Sequence, residues 1–269
     1  MPELPEMENY KHLLNERLRG KTITNVQVNR EKSINISTEL FQEKVNTQKL
    51  DQIERRAKHL LFHLDNGNVL LLHLMLGGWM YYGTEQDKPD RTIQIRLSFG
   101  DHHLYFIGLR LGYLHLFTEQ EVLEELNDLG PEPLEPSFTK EVFIQLASKR
   151  RGKLKTTLFN QQFLSGIGNC YSDEICWHAK LLPTRQMNEM NEQEQIQLYH
   201  SMRSVLQEAI ELGGYMSNPL FKNDVKTGGY TAHCKVYDQE GNPCSRCGNH
   251  IVKDKISSRK TFFCAECQK

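Results

Sequence analysis

The stretch Leu129-Gly130-Pro131-Glu132-Pro133-Leu134-Glu135-Pro136 divides the chain. Its three prolines lack the backbone donor that a helix or a central strand requires, so neither element runs through it. Before it, short apolar runs at 22–28, 50–55, 59–64, 69–74, 79–82, 92–99 and 103–107 read as strands. Asn66-Gly67 and Gly100-Asp101 supply turns between them. A helix over 3–19 precedes the strands, with Tyr10, Leu13, Leu14 and Leu18 on one face. Shorter helices are expected at 39–46, capped by Ser37 or Thr38, and at 119–126. Strands joined by turns imply an antiparallel sandwich or barrel. Beyond the boundary the apolar spacing is helical, over 139–147, 154–160, 170–179 and 192–212. The last helix carries a core stripe of Ile196, Tyr199, Met202, Leu206, Ala209 and Ile210, stopped by Gly213-Gly214. Residues 215–231 lack periodicity and read as a mobile loop. The expected fold class is α+β.

Outward toward the N-terminus, the chain opens Met1-Pro2-Glu3-Leu4-Pro5-Glu6. Prolines and carboxylates suit the first turn of a helix. A second reading is chemical. If Met1 is removed, Pro2 carries a free secondary amine, and α-amino groups titrate near ~8. Such an amine can attack a sugar aldehyde carbon and form a Schiff base, with Glu3 beside it as acid or base.

Outward toward the C-terminus, Cys244-x2-Cys247 and Cys264-x2-Cys267 form two knuckles. Four thiolates favour a tetrahedral zinc ion, and a site with every position filled is structural. An iron–sulfur centre is the alternative. Cys170, Cys176 and Cys234 have no paired spacing and read as buried apolar thiols. The hairpin between the knuckles presents Lys253, Lys255, Arg259 and Lys260, a cationic finger suited to nucleic acid, although some zinc ribbons bind protein.

Between boundary and finger lies Ser165-Gly166-Ile167-Gly168-Asn169, after a basic segment with Arg150, Arg151, Lys153 and Lys155. Two glycines before a helix let backbone N–H groups approach a phosphate. They also permit close helix–helix packing, and the spacing alone leaves both readings open.

Charge is balanced over the 269 residues, with 33 basic and 34 acidic side chains. The basic excess falls in the C-terminal half, which fits a phosphate-binding surface there. No signal peptide and no apolar run of membrane length occurs, so a cytoplasmic protein is expected.

Taken together, these motifs resemble the formamidopyrimidine-DNA glycosylase/endonuclease VIII family of base-excision repair enzymes. The resemblance runs from Pro2-Glu3-Leu4-Pro5-Glu6 through Arg55-Arg56-Ala57-Lys58, Leu129 to Leu134 and Gly166-Ile167-Gly168-Asn169 with Tyr171 and Glu174. It ends in Val236-Tyr237, Gly241, Pro243, the four cysteines and Arg259-x-Thr261-x-Phe263-Cys264. The opening and the tail are more similar to the formamidopyrimidine branch. The resemblance implies a β-sandwich domain over 1–130, a helix–two-turn–helix DNA-binding domain over 131–228 and a zinc finger over 229–269. It implies damaged double-stranded DNA in the cleft between domains, with the damaged base flipped out of the stack. By the same likeness Pro2 is the nucleophile at C1′, and Glu3 serves proton transfer. Lys58 contacts phosphate and donates a proton for β-elimination, and Arg259 holds the lesion phosphates and serves δ-elimination. Asn169 and Lys155 match phosphate contacts, Arg150 and Arg151 lie where the family has a basic contact, and Glu6 lies at the lesion pocket. One structural zinc is the only cofactor implied, and a monomer without an obligate protein partner is expected.

The chain departs from the family where side chains fill the hole left by the flipped base. Leu76 stands where Met is usual, and Leu109 and Leu111 stand where Arg and Phe are usual. A one-residue register change would put Arg110 in the arginine's place. A DNA-contacting histidine is replaced by Pro89, with Arg91 adjacent. Two other functions compete: a catalytically reduced DNA-damage binder with the same fold, and a zinc-ribbon RNA-binding protein. The presence of Pro2, Glu3, Lys58 and Arg259 together favours the enzyme.

Overall fold

The computed structural model describes residues 1–269. The chain divides into two compact units. The first contains Met1–Asp128 together with Met216–Gly228, and the second contains Leu129–Tyr215 and Gly229–Lys269.

The first unit opens with helix α1 (Leu4–Leu18) and strand β1 (Asn25–Val28). Helix α2 (Thr38–Val45) follows, its N-cap Ser37 accepting from the Leu40 amide. Then come β2 (Leu50–Arg56), β3 (His59–Leu64), β4 (Asn68–His73), β5 (Trp79–Gly83), β6 (Ile93–Phe99), β7 (His102–Ile107) and β8 (Tyr113–Thr118). Helix α3 (Glu119–Glu125) closes it. All pairings are antiparallel, in two four-stranded sheets ordered β1-β6-β7-β5 and β2-β3-β4-β8.

Alternation makes the sandwich. Leu60, Phe62 and Leu64 of β3 and Leu104 and Phe106 of β7 turn inward to one core with Met7, Tyr10, Leu14 and Leu18 of α1. Phe62 meets Phe106 edge to face at 6.4 Å. Leu61 of β3 and Val69 and Leu71 of β4 point the other way and bury against Val122 of α3. Periodicity missed β8, although Leu114 and Leu116 alternate inward as the other strands do.

The stretch read as a mobile loop is held. Leu220 is fully buried in the core of the first unit, and its carbonyl accepts from the Tyr82 amide at 2.6 Å. The Asp224 carboxylate gathers this segment, accepting from the amides of Leu220, Lys226 and Thr227 and from the Thr227 hydroxyl. Asn9 of α1 donates to that hydroxyl at 3.0 Å, and Arg17 lies over the Phe221 ring. Local hydrogen bonding to one carboxylate takes the place of a periodic ladder. Residues 216–228 therefore belong with the sandwich and not with the helical domain in which the sequence reading put them.

The second unit is built from α4 (Lys140–Ala147), α5 (Leu154–Phe159), α6 (Asn169–His178) and α7 (Glu192–Glu211), and from the hairpin β9 (Val252–Ile256) and β10 (Arg259–Phe263). Asn191 and Glu194 cap α7 reciprocally. Its core face is Leu198, Tyr199, Met202, Val205, Leu206 and Ala209, with Ile196 and Ile210 only half-buried at its margins. Ser257 and Ser258 both take positive φ in the two-residue turn between β9 and β10, the conformation that matches strand twist in a tight hairpin.

Candidate active site, nucleic-acid face and metal centre

At the N-terminus the opening stretch starts a helix, as its prolines and carboxylates suggest. Glu3 is the N-cap of α1, and Pro5 sits in the first turn. The Glu3 amide donates to Glu6 Oε2 at 2.7 Å, and the Glu3 side chain accepts from the N3 backbone in return. This capping box fixes the backbone one residue after Pro2. Pro2, Glu3 and Glu6 are all buried. Glu6 has a structural task here that the sequence reading did not assign: its carboxylate holds the Glu3 backbone.

Lys58 is only 3 % exposed. It occupies the two-residue turn between β2 and β3, where Arg56 pairs with His59 and Ala57 takes φ 54°. Two histidines and a tyrosine lie on the same sheet. His59 meets His73 at 4.5 Å between ring centroids, and His59 Nε2 is 3.2 Å from the Tyr113 hydroxyl. Burial, reinforced by His73 and neighbouring cations, pushes His59 down to about 3. Burial and then Lys58 push His73 down to about 4. Both rings are neutral at pH 7, so neither adds a cation beside Lys58. The Met75 amide donates to His73 Nδ1 at 3.1 Å, which leaves the ring proton on Nε2. Sequence reasoning passed over His73, because a lone histidine on an apolar strand carries no motif.

The three positions expected to fill the void separate. Leu76 and Leu111 are 68 % and 64 % exposed on their loops. Leu109 is fully buried in the sandwich core, its amide held by Gln94 Oε1 at 3.1 Å. Leu109 is thus a core residue and not a DNA-facing one, contrary to the sequence reading. Arg110, the next residue, is exposed, with its carbonyl accepting from Arg30. The two loops interlock through glycine: a Cβ on Gly108 would lie 2.1 Å from the Gly77 carbonyl oxygen. Beside them is an open cavity of about 670 Å³ lined by Leu76, Trp79, Arg91, Gln94, Arg110 and Asn218.

In the second unit the expected phosphate contacts sort into exposed and buried groups. Arg151 is exposed, and Arg150 is half-buried over the Phe163 ring. Lys155 has no exposed surface. Its ammonium is 2.6 Å from Asp173 Oδ1 and donates to the Asn169 carbonyl at 2.8 Å. Lys155 is therefore an internal ion-pair partner and not a surface phosphate contact. The Gly166 amide is likewise engaged, donating to Gln161 Oε1 at 2.9 Å, so the first glycine of the turn serves the fold. Asn169 is half-buried at the first turn of α6, and its side-chain Nδ2 donates to the Lys260 carbonyl at 3.0 Å.

Helix α6 is the platform for the finger. Asp173 Oδ2 accepts from the Phe262 amide of β10 at 3.1 Å. Glu174 is buried and accepts from three successive amides, Lys235, Val236 and Tyr237, at 2.8–2.9 Å. Burial raises the Glu174 carboxyl above its ordinary range, and these three donors oppose that rise. Trp177 donates to Cys244 Sγ at 3.4 Å and lies under the Arg246 guanidinium.

The four sulfurs of Cys244, Cys247, Cys264 and Cys267 lie within 4.8 Å of one another. Cys244 Sγ and Cys267 Sγ are 3.8 Å apart, and Cys247 Sγ and Cys264 Sγ are 3.6 Å apart. A tetrahedron with Zn–S near 2.3 Å has an edge of ~3.8 Å. The donor set fits one structural zinc, with Trp177 and Asn249 as N–H donors to sulfur behind it.

Comparison with known proteins agrees along the chain. Residues 1–113 match the formamidopyrimidine-DNA glycosylase N-terminal domain, residues 129–219 the H2TH domain of the same enzyme, and residues 241–269 a zinc finger found in FPG and IleRS. The formamidopyrimidine-DNA glycosylase of Pelotomaculum thermopropionicum is 35% identical, over 100% of this chain and 99% of that protein. That of Listeria innocua is also 35% identical, over the whole of both. Among solved structures, Lactococcus lactis Fpg with abasic-site DNA superposes with a TM-score of 0.92 at 30% identity, covering 99% of each chain. The same organism's wild-type Fpg with DNA containing N7-benzyl-Fapy-dG gives 0.93 at 30% identity over all of both chains.

Fold and sites define a DNA repair glycosylase with a four-cysteine zinc finger. The chain belongs to the formamidopyrimidine-DNA glycosylase family.

Proposed function

We propose that this enzyme excises oxidised bases, formamidopyrimidines and 8-oxoguanine among them, from duplex DNA and then cleaves the strand by β,δ-elimination. The observation that carries the reading is the capped start of α1, which fixes Glu3 and leaves Pro2 immediately ahead of it. Once Met1 is removed, the Pro2 nitrogen attacks C1′ of the flipped nucleotide and the C1′–base bond breaks. The ring-opened sugar is then an iminium on Pro2. Loss of a C2′ proton expels the 3′ phosphate, a second elimination expels the 5′ phosphate, and hydrolysis frees the amine. Glu3 moves protons during ring opening. Lys58 and Arg259 hold phosphate and serve the two eliminations, and Asn169 adds a phosphate donor. Cys244, Cys247, Cys264 and Cys267 hold zinc, which fixes the hairpin bearing Arg259. The enzyme works as a monomer on DNA.

The test is borohydride trapping on duplex DNA with one abasic site, followed by gel analysis. Wild type should form a covalent adduct and release both elimination products. Pro2→Gly should trap weakly, and a chain retaining Met1 should not trap, since its Pro2 nitrogen is an amide. Full trapping with Met1 retained would assign the nucleophile to a lysine. Tight lesion binding without nicking would favour the DNA-damage binder instead.

A further inference from the structure

Arg259 begins β10, immediately after the Ser257-Ser258 turn. Two hydrogen bonds from α6 fix the strand close to it. Asn169 holds the carbonyl of Lys260, and Asp173 holds the amide of Phe262. Asp173 is itself fixed by the buried Lys155 of α5. Backbone anchoring alone leaves a long, exposed arginine side chain to sample many rotamers. One turn beyond Lys155 on α5, Phe159 meets it. The Arg259 guanidinium carbon is 3.5 Å from the centroid of the Phe159 ring. Lys155 and Phe159 are four residues apart, so the short helix anchors the strand with one side chain and supports the arginine with the other.

We infer that Phe159 is a positioning residue, a stacking platform that holds the Arg259 guanidinium in place before DNA arrives. A guanidinium lying over a ring uses its π face, and its N–H donors lie in its own plane. The platform therefore restricts the side chain while leaving the fork that a phosphate requires. An aliphatic side chain of equal bulk would fill the same space without the attraction of the ring quadrupole for the cation. The inference rests on the proposed phosphate role of Arg259.

The test uses zinc-loaded enzyme without Met1. Phe159→Leu and Phe159→Met remove the ring and keep the volume, and Phe159→Tyr keeps the ring. Each is also made with Arg259→Ala. Zinc content shows whether the finger is intact in each variant. Affinity is read on duplex DNA with a tetrahydrofuran abasic analogue, and the ratio of δ- to β-elimination products on a true abasic site. In free enzyme, ¹⁵N relaxation of the Arg259 side chain reads its order. Phe159→Leu and Phe159→Met should weaken binding by about two- to fivefold, the range of an exposed cation–π contact. They should also lower the δ share and loosen the arginine, whereas Phe159→Tyr should restore all three. In the Arg259→Ala background the ring substitutions should change nothing further. Equal losses with and without Arg259 would overturn the platform, as would tighter binding after ring removal, which would mean that the ring sequesters the arginine. If Arg259→Ala alone leaves binding and products intact, the DNA role of the arginine falls and the platform with it. A strong Arg259→Ala effect beside silent Phe159→Leu and Phe159→Met rejects the platform only.

Discussion

Asp173 and Lys155 face each other at 2.6 Å with both side chains fully buried. The ammonium also reaches the Asn169 carbonyl, and the other carboxylate oxygen reaches the Phe262 amide. A desolvated pair of this kind adds little net stability relative to apolar replacements, yet it is damaging to break.

Replacing one partner should therefore cost about 3–5 kcal/mol, because the other is left as an uncompensated buried charge. Lys155→Met with Asp173→Leu should recover much of that loss in urea denaturation. DNA titrations at several salt concentrations separate this role from phosphate binding. Arg151→Ala should reduce the salt slope by about 0.9, one counterion's worth. The double variant is made together with Arg259→Ala, because Asp173 also anchors the strand that bears Arg259, and should have the slope of Arg259→Ala alone. A slope lower than that of Arg259→Ala alone would return Lys155 to the DNA face.

Chelation of the metal should release the finger from its platform. The four-cysteine site packs against Trp177, so zinc removal or Cys264→Ser should change tryptophan fluorescence and weaken DNA binding. Circular dichroism should still report the sandwich strands, whose core is built without the finger. Full affinity in a zinc-free protein would contradict this.

Opposite-base choice should depend on Arg110. Leu109 is buried, and Leu76, Arg110 and Leu111 are exposed on their loops. On the proposed function these are the side chains to test against an orphaned base. A bidentate arginine contact to guanine or a similar edge discriminates by ~1–3 kcal/mol, or about ten- to a hundredfold. Excision timed opposite each of the four bases should show a preference in wild type that Arg110→Ala flattens. An equally flat wild type would leave Arg110 without a role in opposite-base choice.

Acid should unfold the first unit through its buried histidines. His59 and His73 have folded values near 3 and 4, below the ordinary 6.5 of the unfolded chain. The unfolded state thus binds more protons between those limits, and stability falls as pH drops through 6.5 toward the folded values. Going from pH 7.5 to 5 should cost about 2 kcal/mol per histidine, because both rings stay neutral in the fold over that range while the unfolded chain takes up the protons. His59→Phe should flatten the pH dependence of the melting temperature. An unchanged slope would place the acid response elsewhere.

Much of this was legible in the sequence because spacing carries it. Four cysteines at two-residue intervals announce the metal, and alternation announces most strands. The proline-rich stretch at 129–136 marks the first passage between units. The misreadings share a cause. A lysine in a basic segment looks solvated, and nothing local reveals that Asp173, eighteen residues later, will enclose Lys155. In the irregular loop after β7 no period says which of Leu109, Arg110 and Leu111 turns inward, and the Gln94 side chain decides it. Residues 216–228 have no period at all, because one carboxylate, Asp224, organises them.

The burial of Leu220 in the sandwich bears on how the chain is made. The first unit is discontinuous: its core is complete only when residues 216–228 have joined it. A ribosome must therefore finish Leu129–Tyr215 before the earlier unit can close. Domains that fold in order of synthesis do so from contiguous chain. Here the N-terminal unit waits, partly open, for a plug synthesised about ninety residues after Asp128. A fragment ending at Asp128 carries every sandwich strand and still lacks the leucine that fills it.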